Sequence, residues 1–116
     1  MHEQTMLRLE LDILNGHLPD GEVFRRMPEA SLMASPILSK AYGEWLIRHG
    51  SLKEGVRMLG AAVKGLAAGG QQQHLPDAMA LLAMAHIRAG NLADASTLLA
   101  FLREEFHRGM EAGGSG

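Results

Sequence analysis

Apolar residues recur along this chain at spacings of three and four, and glycines and prolines interrupt the pattern at regular intervals. From Glu3 to Asn15, Met6, Leu7, Leu9, Leu11, Ile13 and Leu14 make a broad apolar face, with Arg8, Glu10 and Asp12 opposite. That is the pattern of an amphipathic helix, and Gly16 ends it, as a residue that tolerates the left-handed conformation past a helix end. A short second helix is expected from about Pro19 to Met27, because proline suits a first turn and Pro28 stops the segment. Pro28 to Ser35 reads as a connector. Ser35 then reads as an N-cap with Pro36 at the first helical position. The helix from Pro36 to His49 places Ile37, Ala41, Tyr42, Trp45 and Leu46 in and around one stripe, and Gly50 closes it.

Ser51, with Glu54 three residues later, has the capping-box pattern. It opens a helix through about Ala67 whose buried face holds Leu52, Val56, Leu59, Ala62, Val63 and Leu66. After the loop Gly69 to His74, a further pair runs from Pro76 to Ala89 and from an Asn91 cap to about Arg108. Its apolar positions include Met79, Leu82, Ala83 and Ile87, then Leu92, Leu98, Leu99, Leu102 and Phe106. The pattern predicts six helices in three antiparallel hairpins.

One motif occurs three times at the hairpin turns. It reads ILNGHLPDG from Ile13, IRHGSLKEG from Ile47 and IRAGNLADA from Ile87. Gly16 and Gly50 stand 34 residues apart, and Gly50 and Gly90 stand 40 apart, the loop Gly69 to His74 supplying the longer period. A repeat of this length means stacked supersecondary units that share one continuous core. The domain is therefore residues 1–112, with units at about 2–35, 36–75 and 76–109; residues 113–116, Gly-Gly-Ser-Gly, read as an appended linker.

Composition narrows the class. Aromatics are 4% of the 116 residues while Ala, Leu, Met and Glu are common, which favours helix over sheet. A net charge of −2 argues against nucleic acid or an anionic membrane as the main partner, since both call for a basic patch. With no cysteine, disulfides, thiolate metal sites and a thiol nucleophile are excluded. The charged N-terminal stretch has no secretory core, and the longest uncharged run, Gly65 to Pro76, is Gly- and Gln-rich and cannot span a bilayer. A cytoplasmic location is expected.

With these residues laid out, the chain resembles the tetratricopeptide repeat family, a 34-residue helix–turn–helix unit. Small residues fall where the family's paired helices approach closely, at Gly43 and Gly55 in the second unit and Ala83 and Ala95 in the third. The first unit has Thr5, Arg8, Asp12 and Arg25 where apolar residues are expected, and reads as a divergent, capping unit. The resemblance implies an all-α, right-handed stack of three hairpins. It also implies a non-enzymatic module that binds a peptide or partner helix in a concave groove lined by the first helix of each pair.

Carried onto this sequence, the groove would hold Ile37, Lys40, Glu44, Ile47 and Arg48 from the second unit. The third unit would contribute Asp77, Ala80, Met84, Ile87 and Arg88, and the first Met6, Glu10, Ile13 and Leu14. Ile13, Ile47 and Ile87 share one place in the three units, at the edge of the buried stripe. They either finish the packing between units or form an apolar ladder flanked by Arg48 and Arg88 that receives a partner. Three-hairpin proteins of this length resemble bacterial secretion chaperones; repeat segments of larger bacterial transcriptional or signalling regulators are the alternative. A self-associating scaffold is a third class, dimerising through Phe101, Leu102 and Phe106 of the last helix, which no following unit covers.

Other chemistry finds little footing. His2, His17, His49, His74, His86 and His107 include no pair four residues apart on one helix, so the zinc-protease pattern is missing and no metal is expected. Gly65 to Gly70 lacks the Gly-Lys-Ser/Thr ending of a phosphate loop. Glu104 and Glu105 point in different directions on a helix and make no acid–base pair. Met58, Met79 and Met84 read as core filler, with Met84 alternatively an adaptable binding surface. No cofactor and no enzymatic activity are expected.

Overall fold

The computed structural model describes the backbone of residues 2–17, 19–69 and 72–114, and the side chains of 6–17, 19–69, 72–105 and 107. Among these residues the chain forms seven α-helices and no strand. They are α1 (His2–Leu14), α2 (Gly21–Arg25), α3 (Glu29–Ala34), α4 (Pro36–Arg48), α5 (Leu52–Ala68), α6 (Leu75–Ala89) and α7 (Leu92–Gly114). A short 3-10 turn, Gln72–His74, leads into α6. The expected all-helical class is present.

The helix ends follow local chemistry. Gly16, Gly50 and Gly90 all adopt positive φ, between 85° and 87°, and each closes a helix. Behind Gly50 the Ser51 N–H donates to the Leu46 carbonyl (2.9 Å), and behind Gly90 the Asn91 N–H donates to the His86 carbonyl (2.7 Å). This is the wrap-around hydrogen bond that satisfies otherwise orphaned carbonyls. Ser35 caps α4, its Oγ accepting from the Leu38 N–H at 3.3 Å, and Pro36 occupies the first turn. The Ser51 capping box does not form: Ser51 makes no side-chain cap hydrogen bond. At φ −85°, ψ 67° its backbone is committed to leaving the glycine turn rather than to the extended conformation a capping residue needs.

The first unit departs from the expected hairpin. Pro28 does not open a connector: its carbonyl accepts from the N–H groups of Ser31 and Leu32 and starts α3. The second helix shrinks to the five residues of α2, capped by Asp20, and both α2 and α3 lean on α4, as α1 does. In place of one antiparallel pair, three helices pack on α4.

From α4 onward the chain packs as a serial zigzag, α4 on α5, α5 on α6 and α6 on α7. The α4–α5 pair closes tightly because Gly43 faces Leu59: a Cβ on Gly43 would stand 2.6 Å from Leu59 Cγ. Among the described residues, three buried clusters form the core. One gathers Leu9, Phe24, Leu32, Leu38, Tyr42, Leu46 and Met58 around α4. The others lie between α4–α5 and α6, holding Ile47, Leu59, Leu82 and Ala85, and Ile37, Leu66 and Ala78. The result is a slab of 46 × 36 × 22 Å.

Candidate interaction groove

Residues on the outer face of α4 recur every fourth position as Lys40, Glu44 and Arg48, one row of a helix surface. Each is already engaged. Lys40 Nζ meets Asp77 Oδ2 on α6 at 2.6 Å, tying the two first helices of units two and three side by side. Arg48 pairs with Glu44 one turn earlier at 3.2 Å. Ala80, Met84 and Arg88 form the corresponding row on α6, all exposed. Met58 and Met79 are buried in the core, whereas Met84 is 41% exposed. A flexible, polarizable side chain of that kind adapts to varied partners.

On the other side of α4 the row borders α1. Ile13 and Leu14 from α1, Ile37, Lys40, Ala41 and Glu44 from α4, and His74 from the turn before α6 line a cleft of about 120 Å³. A smaller hollow of about 60 Å³ lies next to it, between Pro19, Phe24, Ala41, Glu44, Trp45 and Arg48. Two of its lining rings, Phe24 and Trp45, belong to an aromatic ladder. Phe24 stacks on Tyr42 (5.3 Å between centroids), Tyr42 on Trp45 (6.1 Å) and Trp45 on His49 (4.1 Å), with Arg25 lying 5.2 Å over the indole. His49 Nδ1 lies 2.8 Å from the Trp45 carbonyl oxygen, holding the imidazole in the ladder. The indole rests directly on Gly21, where a Cβ would fall 1.9 Å from the ring. Only glycine fits there.

Several of the expected groove residues are placed elsewhere. Ile47 is buried against Leu59, Leu82 and Ala85, and Ile37, although it edges the cleft, packs on Leu66 and Ala78, so each leaves only 3–4% of its surface open to a partner. The reason is α6, which covers the second unit and takes both isoleucines into its interface. Ile87 is exposed and stands at the edge of the α6 row, while Ile13 is half-buried beside the cleft. The isoleucine ladder is therefore core in one unit and surface in another. Of the candidate self-association residues, Leu102 is half-buried beside Pro76 and Ala80 of α6, while Phe101 is exposed one residue away, about 100° around the helix. Phe106 lies outside the described side chains.

Sequence reasoning did not place His74 or Ala41 in the groove. Ala41 sits one residue from the expected row, and His74 arrives through the 3-10 turn that the longer second period builds. No signal in the sequence located that turn against α4. Among the described residues, no group of three or more His, Asp or Glu side chains is gathered as metal ligands would be, and no helix is long and apolar enough to cross a membrane. The chain matches no family model, and comparison with curated proteins and with solved structures gave no match.

Proposed function

We propose that this chain is a non-enzymatic interaction module that takes a peptide or an amphipathic partner helix across the face shared by α1, α4 and α6. The observation that carries the reading is the composition of that face. Aliphatic surface from Leu14 and Ala41 lies beside Lys40 and Glu44 in the cleft, and Ala80, Met84 and Arg88 stand in the corresponding exposed row of α6, which the Lys40–Asp77 ion pair ties to α4. The arrangement suits a partner that inserts apolar side chains at helical spacing and sets its own charges against the rim. The Lys40–Asp77 ion pair holds α4 and α6 side by side before a partner arrives, which lowers the ordering cost of binding.

In keeping with the tetratricopeptide-like reading of the repeats, the partner is a protein segment. A small chaperone shielding an aggregation-prone helix and a repeat segment of a larger regulator would use this face in the same way. The test is a peptide array of amphipathic helical sequences, followed by calorimetric titration of the strongest binder. An Arg48→Glu/Arg88→Glu variant keeps the wild-type helical signal and melting curve but loses at least tenfold in affinity. An unchanged affinity in that variant refutes the groove.

A further inference from the structure

The failed capping box at Ser51 leaves a carboxylate unengaged. The Ser51 N–H, which Glu54 would bond in that motif, donates instead to the Leu46 carbonyl at 2.9 Å. Among the described residues, no hydrogen bond or ion pair engages Glu54. Its side chain lines a polar cleft of about 190 Å³ between α2, α3, α4 and α5. This cleft shares no lining residue with the one beside α1, so occupancy of one does not require the other.

Four further polar side chains line the same cleft. Glu29 of α3 and Arg57 of α5 are paired with each other and so neutralise one another. Arg25 of α2 has a long contact to Glu22, 3.9 Å between side chains that are each more than half exposed, and such a pair contributes little in water. The Arg25 guanidinium lies over the Trp45 ring, a stacking that leaves its in-plane N–H donors able to bond. Tyr42 is the fourth. It is 7% exposed and stacks between Phe24 and Trp45, yet among the described residues its hydroxyl bonds to nothing. No fully enclosed side-chain oxygen or nitrogen lacks a partner among those residues, so the Tyr42 hydroxyl has an opening, and Tyr42 lines this cleft. A nearly buried hydroxyl without a partner is costly, and a ligand acceptor removes that cost.

The unengaged groups are therefore a cation, an anion and a hydroxyl, on three helices around one cleft, with no ion pair joining Arg25 to Glu54 among the described residues. We infer that the cleft binds a small zwitterionic α-amino acid. Its carboxylate accepts from the Arg25 guanidinium, whose fork of donors matches that group, and from the Tyr42 hydroxyl. Its ammonium donates to Glu54. A plain anion would face the like charge of Glu54 and a plain amine that of Arg25, whereas a molecule bearing both charges meets each with its opposite. The ligand's own side chain is small. Phe24, Leu32 and Met58 line the cleft but are 1–2% exposed, so they offer little apolar surface. The volume is also below the roughly 300–1,000 Å³ of pockets that hold drug-sized molecules. Glycine, alanine and serine suit these limits.

Trp45 is the single tryptophan of the chain and lies under Arg25, so its indole N–H resonance reports the site in an amide NMR titration of the intact chain. The probes are alanine and, as the two halves of its charge pattern, acetate and methylamine. Alanine binds at least tenfold more tightly than either half. Glu54→Gln, at an exposed position, lowers the alanine affinity at least tenfold without weakening acetate. Tyr42→Phe, which keeps the ring stack, weakens both; if circular dichroism shows that it melts early, Arg25→Gln on exposed α2 takes its place. The groove variant Arg48→Glu/Arg88→Glu binds alanine as the wild type does. Absence of saturable shifts with alanine overturns the assignment. So does acetate or methylamine binding as tightly as alanine, or wild-type alanine affinity in Glu54→Gln.

Discussion

Replacing Leu59 and Leu99 separately by alanine puts one chemical change at equivalent places with opposite surroundings. Leu59 is fully buried, within reach of Ile47, Leu82 and Ala85 and directly beneath Gly43. Its truncation loses the transfer free energy of the side chain and leaves a cavity that the rigid α4–α5 contact cannot close, a cost of about 2–5 kcal/mol. Leu99 already has about half its surface in water. No enclosed cavity results from its loss, and the transfer term falls below about 1 kcal/mol.

Urea unfolding followed by circular dichroism measures both, at a protein concentration low enough to keep the chain monomeric. For a domain of this size about 1 kcal/mol moves the melting temperature by about 4–8 °C. Leu59→Ala therefore melts at least about 8 °C below wild type, and Leu99→Ala within a few degrees of it. The unfolding slopes should agree among the three proteins. If Leu99→Ala costs as much as Leu59→Ala in the monomer, the contrast in burial between the two hairpins fails.

Further outcomes follow from glycines and caps. Gly60→Ala places a methyl where nothing lies within 4 Å and should stabilise α5 by about 0.5–1 kcal/mol through helix propensity alone. Gly43→Ala drives its methyl to 2.6 Å from Leu59 Cγ and should destabilise by about 1–2 kcal/mol despite the same propensity gain. In a Leu59→Ala background that penalty should vanish, which a double-mutant cycle in urea would register; equal penalties in both backgrounds would refute the contact. Gly90→Ala meets no atom within 4 Å but must hold φ near +85°, so thermal melts should show a loss of about 1–2 kcal/mol of purely backbone origin. Ser35→Ala removes both the cap on the Leu38 N–H and the Oγ–H donated to Glu10 at 3.0 Å. It should cost about 1 kcal/mol and speed hydrogen exchange in α1, which that second bond fastens to α4.

What could be read from the sequence is what local chemistry decides. The three turn glycines, the Ser35–Pro36 start of α4 and the boundaries of α4, α5 and α6 follow from residues within a few positions of each other. The first unit departs from its sequence pattern because one residue serves two roles. Pro28 has no N–H to continue the segment before it, and its carbonyl starts α3 after it, so an expected stop is also a start. The groove was legible only as a row of positions. Ile47 and Ile87 have the same local sequence frame, isoleucine three residues before a glycine, yet differ by more than an order of magnitude in exposure. Nothing within either hairpin encodes that difference; it arises from whether another helix packs on the outside. Periodicity assigns a residue to a face, and only the stack decides whether that face is covered.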